Sequence, residues 1–185
     1  MKTSKWIWVA ILLAAPGAAQ AKPVDLFGIP LATATRATLE PALVHAGLTP
    51  IQVGNQWWFD QYAVHGQLPG AKKLLVGYTE QNHFAIAEYV FPSFMDIGQV
   101  VQIIRMVEGK YGPPSQQSGN PGLGDVQATW NEGDGMIIRV SRGWPSTTTY
   151  LSLENVASDQ RMKAQMQQQK RQQESQQAKA HSNAF

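Results

Sequence analysis

The sequence predicts an α+β fold in which two helices form one layer on an antiparallel sheet. Two observations lead to this prediction. Residues 72–91 hold two apolar strand patterns, KKLLVGYTE and HFAIAEYVF, separated by a polar turn. Residues 96–111 repeat apolar side chains about every 3.6 residues, as an amphipathic helix does. A hairpin with one apolar face and a helix with one apolar stripe must cover each other to leave water.

The central hairpin and helix have clear boundaries. Apolar residues alternate with others in both strands: Leu74, Val76 and Tyr78 in the first, and Phe84, Ile86 and Val90 after the turn. The helix begins at Asp96, or slightly earlier at Ser93. It ends at Gly112, which suits the left-handed position past a helix, and the two prolines that follow cannot continue it.

Upstream, residues 35–47 predict a first, short helix whose start is ambiguous. If Thr38 caps it, Pro41 lies in the first turn, where its missing N–H costs nothing. If Thr35 caps it, Pro41 lies in the interior and removes a hydrogen bond. Residues 48–53 and 57–64 then predict two extended segments before the hairpin.

Downstream, residues 113–124 are rich in Pro, Gly, Ser, Gln and Asn and predict a loop. Three strands follow, within residues 125–154. Residues 35–91 and 96–154 therefore share one order of a helix and three strands, an α-β-β-β pseudo-repeat. In this order of elements the chain resembles β-lactamase-inhibitor proteins and the outer-membrane assembly lipoproteins. That resemblance implies a helix layer on an antiparallel sheet, and it concerns architecture alone.

The first 21 residues predict a signal peptide. Lys2 and Lys5 precede an apolar run, and a small-x-small site ends at Ala21. We expect cleavage after Ala21, a mature chain from Lys22, and a periplasmic or secreted location; an uncleaved membrane anchor is the alternative. No later run reaches the roughly 18 apolar residues of a membrane span, so we expect no integral membrane segment after cleavage.

Composition limits the chemistry. The chain has no cysteine, which excludes disulfides, thiolate catalysis and thiolate zinc sites. Residues 22–154 are predicted to form one α+β domain, with eight basic and 11 acidic side chains. Because this domain is acidic and lacks basic patches with interleaved aromatics, we expect no nucleic-acid binding.

Residues 155–185 differ from the domain in composition. They contain nine glutamines, and their five basic side chains outnumber two acidic ones. Helix-forming residues predict a polar helix from about Ser158, but its apolar stripe lapses after Met166. We expect a marginal helix that ends in disorder.

The titratable residues show no catalytic motif. No nucleophile elbow, zinc-protease motif or phosphate-binding loop is present in the sequence, so we expect no enzymatic activity, no cofactor and no metal site. His45, His65 and His83 fit no local metal motif. A less favoured hypothesis is that His65 with Asp60, and His83 with Glu88, converge in space as an acid–base or metal cluster.

Glu88 is unusual because it falls among the apolar residues of its strand pattern. If it is buried it needs a cationic partner, and the candidates are Arg105, Arg139 and Arg142. If it is exposed at a sheet edge, it opposes unwanted strand pairing.

Aromatic residues on or beside the predicted strands give the candidate binding surface: Trp57, Trp58, Tyr62, Trp144 and Tyr150. If Trp58, Tyr62 and Trp144 share an exposed face, they form a recognition patch. The preferred hypothesis is an exported, non-enzymatic protein that binds a protein or a cell-envelope component through this sheet face, with the tail as an accessory contact or spacer.

Two alternatives stay open. An inhibitor or immunity-type module would present a rigid protruding loop, such as Gly112–Gly124 or Asn131–Gly135. A hydrolase acting on envelope glycan would need two carboxylates beside a groove, and Asp60 with Glu88 is the candidate pair.

Overall fold

The computed structural model describes residues 22–93, 96–143, 145 and 148–182. The predicted signal peptide and Trp144 lie outside the described residues.

The helices are α1 (Arg36–His45), α2 (Gly98–Tyr111) and α3 (Val156–Ser182). The strands are β1 (Asp25–Leu26), β2 (Ile29–Pro30), β3 (Thr49–Gln52), β4 (Phe59–Ala63), β5 (Lys73–Tyr78), β6 (Phe84–Pro92), β7 (Gln116–Asn120), β8 (Asp125–Asn131), β9 (Met136–Arg142) and β10 (Thr148–Asn155). Strands β1 and β2 form a separate small hairpin. The others form one eight-stranded antiparallel sheet in the order β3-β4-β5-β6-β10-β9-β8-β7.

The α+β fold class is confirmed, and the two halves meet at the centre of the sheet, where β6 pairs with β10. Each half has a helix followed by four strands, one strand more than the predicted α-β-β-β unit: α1 with β3 to β6, and α2 with β7 to β10. The loop prediction for residues 113–124 was wrong for Gln116–Asn120, which is the edge strand β7. All five of its residues are exposed and none is apolar, so β7 lacks the alternation that reveals a strand.

One face of the sheet, the helix face, packs against α1 and α2. Leu39 and Leu43 of α1 and Val100 and Ile104 of α2 are buried in its core. Strand residues in this core include Tyr62, Leu74, Val76, Ala87, Tyr89, Ala128, Trp130, Ile138, Val140, Leu151 and Leu153. The opposite side is called the open face below, and the alternating side chains of every strand divide between the two.

The register of β5 and β6 decides which residues face which way. Leu74 pairs with Tyr89, so Tyr89 lies on the helix face. Ile86 and Val90 do share a face, but it is the open one. Paired residues across an antiparallel ladder point to the same side. A residue known to lie on the helix face therefore places its cross-strand partner on the helix face as well.

Local contacts settle the start of α1. The backbone N–H of Thr35 donates to Thr38 Oγ1 over 3.0 Å, as in a capping box. Thr35 is therefore the N-cap, and Pro41 lies inside the helix, where it removes one backbone hydrogen bond. The end of α2 agrees with the prediction, since Gly112 has a φ of +84°.

Helix α3 begins earlier than predicted and packs on the open face. Asn155 Oδ1 accepts a hydrogen bond from the Ser158 N–H at 3.0 Å, as an N-cap does. Met162 is buried, and its sulfur lies against Gly77 of β5. The first turns of α3 thus belong to the folded body, whereas residues 170–180 are exposed. Within the described residues, no helix has both the length and the apolar character that a membrane span needs.

Candidate functional site

The structure does not bring the predicted aromatic residues together in one surface. Trp57 is 45% exposed and Trp58 half-buried, and both lie between β3 and β4. Tyr150 is half-buried in the middle of the open face, on β10. Tyr62 is 0% exposed on the helix face, so its inclusion in a contact surface was wrong. Trp144 is not among the described residues.

Two rows of side chains lie on the open face beside α3; eight of the residues below are half-buried, and Ser152 is buried. Strand register gives one row as Lys73, Val90, Tyr150 and Ser141, and the next as Gln61, Leu75, Glu88, Ser152 and Arg139. We call these nine residues the open-face patch. Helix α3 packs beside it, over the third row, at Gly77.

Glu88 lies at the centre of the patch, between Leu75 on β5 and Ser152 on β10. It is half-buried, and burial raises the pKa of its carboxyl group above the ordinary value. No ion pair or hydrogen bond reaches its side chain from any other described residue. Glu88 is therefore a partly desolvated carboxylate that nothing described in this chain compensates.

The three arginines predicted as partners of Glu88 are placed elsewhere. Arg139 shares the patch but donates to Glu154 Oε2, at 3.4 Å. Arg142 is buried on the helix face, opposite Val126. Arg105 is exposed on α2, which packs on the helix face.

A buried ion pair fixes the loop that carries the two tryptophans. The Arg36 guanidinium donates to Asp60 Oδ1 at 2.6 Å, and both side chains are buried. Arg36 also donates to the carbonyl oxygens of Gly54, at 2.6 Å, and Trp57, at 2.9 Å. Its guanidinium carbon lies 4.4 Å from the centre of the Tyr78 ring. The start of α1 thus holds the β3–β4 connection through one side chain.

The electrostatics of this pair follow from its burial. Burial raises the pKa of Asp60, and the nearby positive charge of Arg36 and the Gly54 N–H, 3.1 Å away, only partly offset the effect. Both donors bind Asp60 Oδ1, and Asp60 Oδ2 is buried with no hydrogen-bond partner among the described residues.

The geometry contradicts the predicted carboxylate pair and the predicted clusters with histidine. Asp60 pairs with Val76 on the helix face, whereas Glu88 pairs with Leu75 on the open face. The two carboxylates are therefore on opposite sides of the sheet and cannot act on one substrate. His65 hydrogen-bonds with Thr49 Oγ1 at 3.1 Å. Within the described part of the chain, no three His, Asp or Glu side chains are grouped as metal ligands.

A polar cleft of about 410 Å³ separates α3 from the turns beside it. Trp57 and Trp58 line one side, and Gln169 and Gln172 line the other. Trp58 Nε1 donates to Gln169 Oε1 at 2.7 Å, and the Glu80 N–H donates to Gln165 Oε1 at 3.1 Å. The glutamines of the tail therefore attach α3 to two turns.

Sequence reasoning missed this role of the glutamines, although one signal was available. Gln165 and Gln169 are four residues apart and so share one side of a helix, with Met162 and Met166 close to the same side. Amide side chains next to a short apolar stripe are consistent with docking on a sheet.

The two loops proposed for an inhibitor contain regular structure. Gly112–Gly124 contains β7, and Asn131–Gly135 is a tight connection with one 3₁₀ turn at Gly133–Gly135.

Comparisons with known proteins are sparse. The sequence matches no protein-family model and no curated protein. Among solved structures, the fold is similar to that of a DUF4309 family protein, YjgB, from Bacillus subtilis. The sequences are 15% identical over 71% of this chain and 86% of that chain, with a TM-score of 0.44.

Proposed function

We propose that this chain is an exported, non-enzymatic binding protein whose open-face patch receives a protein partner. The partner places an arginine or lysine side chain over Glu88. The distal, exposed part of α3 serves as an accessory contact or spacer. The partner is thus a protein with a basic side chain at its contact surface.

The observation that carries the proposal is the state of Glu88. Its carboxylate is half-buried, its pKa is raised by burial, and no described residue offers it a cation. A desolvated charge without a counterion is unfavourable in the free protein. A partner cation would remove that penalty, because charge pairs at the centre of an interface are shielded from water.

The neighbours of Glu88 support a protein contact. Leu75 and Val90 offer aliphatic surface on either side, and Tyr150 follows on β10. Apolar and aromatic side chains around a central polar anchor are typical of protein-binding surfaces. Arg139 and Glu154 satisfy each other at 3.4 Å, so Glu88 is the acidic anchor that remains.

The test is a capture experiment with purified variants, followed by a charge swap. Wild-type protein, Glu88→Lys and Glu132→Lys are immobilised and exposed to an envelope extract. Glu132 is the matched control, because burial also raises the pKa of this carboxyl but it lies in the β8–β9 connection. We expect one protein to be retained by wild type and by Glu132→Lys and to be lost with Glu88→Lys.

The captured protein is then purified and its basic contact residue is changed to glutamate. We expect this variant to bind Glu88→Lys and not the wild type, as measured by isothermal titration calorimetry. Equal capture by Glu88→Lys and wild type would contradict the proposed contact. The same variants are also prepared without the exposed part of α3. Comparing their partner binding with that of the full-length variants separates the contribution of the helix from that of the patch.

Export is tested separately. Cell fractionation should place the protein outside the cytoplasm, and intact-mass measurement should give a chain that begins at Lys22. A cytoplasmic chain that retains residues 1–21 would contradict the proposed location.

A further inference from the structure

A second cavity, of about 240 Å³, lies on the helix face, away from the open-face patch. Its floor is formed by sheet residues, and α2 and the β1–β2 hairpin form its sides. The floor residues are Tyr89, Ile138, Leu151 and Leu153. A carbon-lined cavity of about 150 Å³ can hold benzene, so this one has room for a longer hydrocarbon. Small-molecule sites in proteins are mostly apolar pockets with few polar groups, as here.

The hairpin that borders the cavity has an unusual residue at its tip. Phe27 and Gly28 connect β1 to β2, with φ of +50° and +82°. Two-residue connections of this kind favour Asn, Asp or Gly, because other side chains are strained in the left-handed region. Phe27 is 39% exposed, so burial in the core does not compensate for this strain. Phe27 is also one of the residues that line the cavity. Strained residues of this type cluster at ligand sites.

The rim of the cavity carries one ion pair. Lys110 Nζ donates to Asp25 Oδ1 at 2.6 Å, and half of the Lys110 side chain is exposed. An ammonium group has three donors, so Lys110 can serve a second carboxylate while it keeps Asp25. Lys22 Nζ donates to the Lys110 carbonyl oxygen at 2.7 Å, which brings a second positive charge close to the rim. Glu132 also lies near Lys22, but it does not line the cavity.

We propose that this cavity binds a single-chain amphiphile of the fatty-acid class, a medium-length hydrocarbon chain with a carboxylate head. The chain lies on the apolar floor between α2 and the β1–β2 hairpin. The carboxylate accepts a hydrogen bond from Lys110, and Phe27 covers the chain. This inference is independent of the partner at Glu88, because the two sites are on opposite faces of the sheet.

The test is calorimetric titration of the purified protein with decanoate, below the concentration at which decanoate forms micelles. Decyltrimethylammonium and decanol of the same chain length are the comparison ligands. We expect one saturable site for decanoate, with an affinity about tenfold higher than for the cationic ligand. Binding that appears only above the micelle concentration, or only when phospholipid vesicles are present, overturns the proposal.

Three variants locate the site. Met106→Trp fills the mouth from a position that is 42% exposed in wild type, and it should weaken decanoate binding about tenfold or more. Lys110→Met should remove the preference for decanoate over decyltrimethylammonium. Phe27→Gly should keep or raise the melting temperature, because glycine adopts a positive φ without strain, yet weaken binding.

The control is Ile51→Trp, which adds an indole to the edge strand β3 at a position that is 59% exposed. It should bind decanoate as wild type does. Decanoate that binds Met106→Trp as tightly as wild type overturns the assignment of the cavity. Equal affinities for decanoate and decyltrimethylammonium overturn the assignment of the carboxylate. Circular dichroism of each variant confirms that the fold is retained.

Discussion

In the first half of the molecule a buried arginine ties the helix to the sheet, whereas in the second half a tryptophan indole does so. Arg36, at the start of α1, reaches Asp60 on β4 over 2.6 Å. Trp130 on β8 donates Nε1 to the carbonyl oxygen of Gly112, just past α2, over 2.8 Å. A charged tie can hold several groups at once, and Arg36 holds three oxygens of the β3–β4 region. Trp130, the neutral tie, binds a single oxygen atom, the carbonyl oxygen of Gly112.

Strand β5 of the first half and strand β9 of the second also differ in how they are covered. Strand β9 alternates buried and half-buried residues along its whole length, as a strand covered on one face should. Strand β5 ends in three consecutive buried residues, Val76, Gly77 and Tyr78, because α3 packs on its second face. The open-face patch therefore exists because α3 packs beside the two rows and leaves all of their side chains except Ser152 partly exposed.

The largest expected effect tests the charged tie. Asp60→Ala leaves the Arg36 charge buried without a counterion, which should lower the free energy of unfolding by about 3–5 kcal/mol. Trp130→Phe leaves one carbonyl group without its donor and should cost about 2 kcal/mol. Chemical denaturation of both variants gives the comparison. A smaller cost for Asp60→Ala than for Trp130→Phe would show that the two ties are not as different as their chemistry indicates.

The next effect tests the two-sided covering of β5. Met162→Ala removes a buried side chain that links α3 to the sheet and should cost about 2–4 kcal/mol. Gly77→Ala should loosen the same contact, since an added Cβ would lie 2.9 Å from Ile86 and Phe59 and 3.0 Å from the Met162 sulfur.

The matched control is Ile137→Ala in the second half. Ile137 is half-buried on the open face of β9. Its replacement by alanine should lower the free energy of unfolding by less than about 1 kcal/mol. Thermal unfolding followed by far-ultraviolet circular dichroism measures all three variants. Equal costs for Ile137→Ala and Met162→Ala would contradict the difference in covering between the halves.

The helices and strands with a regular apolar repeat were predicted from the sequence. The 3.6-residue repeat of α2 and the alternation of β5 are properties of adjacent residues, so sequence alone revealed them. The start of α1 could not be settled, because Thr35 and Thr38 are both good caps. Strand β7 was missed since Gln116–Asn120 has no apolar alternation, and only its pairing with β8 makes it a strand.

The site was less predictable than the fold, because it depends on which face each side chain occupies. Tyr62 was chosen for its chemistry, yet its register with Leu74 places it in the core. Asp60 and Glu88 were proposed as a pair, and strand register alone separates them by the thickness of the sheet. A shift of one residue in a strand reverses every such assignment, which the pattern of a single strand cannot decide.

A smaller effect tests the open-face patch, and here the substitution should raise the free energy of unfolding instead of lowering it. Burial raises the pKa of Glu88, so the folded protein holds this proton more tightly than the unfolded chain does. Stability should therefore fall as pH rises from the ordinary carboxyl range through the raised pKa. Glu88→Gln avoids this loss and should be more stable than wild type at pH 7, by about 0.5–1 kcal/mol.

At a pH below the ordinary carboxyl pKa, Glu88 is protonated in both states, and Glu88→Gln should then match wild type. Urea denaturation across this pH range measures the difference. A variant less stable than wild type at neutral pH would mean that the carboxylate has a stabilising contact within the chain. In that case Glu88 would not be an anchor kept for a partner.

The smallest expected effect defines where the folded body ends. Among the described side chains, a chain ending after Lys170 loses those of residues 171–180, which are exposed, and pairs such as Lys170–Glu174, whose charged atoms are 3.9 Å apart. Its free energy of unfolding should change by less than about 0.5 kcal/mol. A chain ending after Asn155 also loses Met162, so it should show at least the loss seen for Met162→Ala. A large decrease in the free energy of unfolding of the chain that ends after Lys170 would mean that the distal turns of α3 stabilise the fold. They would then be more than a spacer.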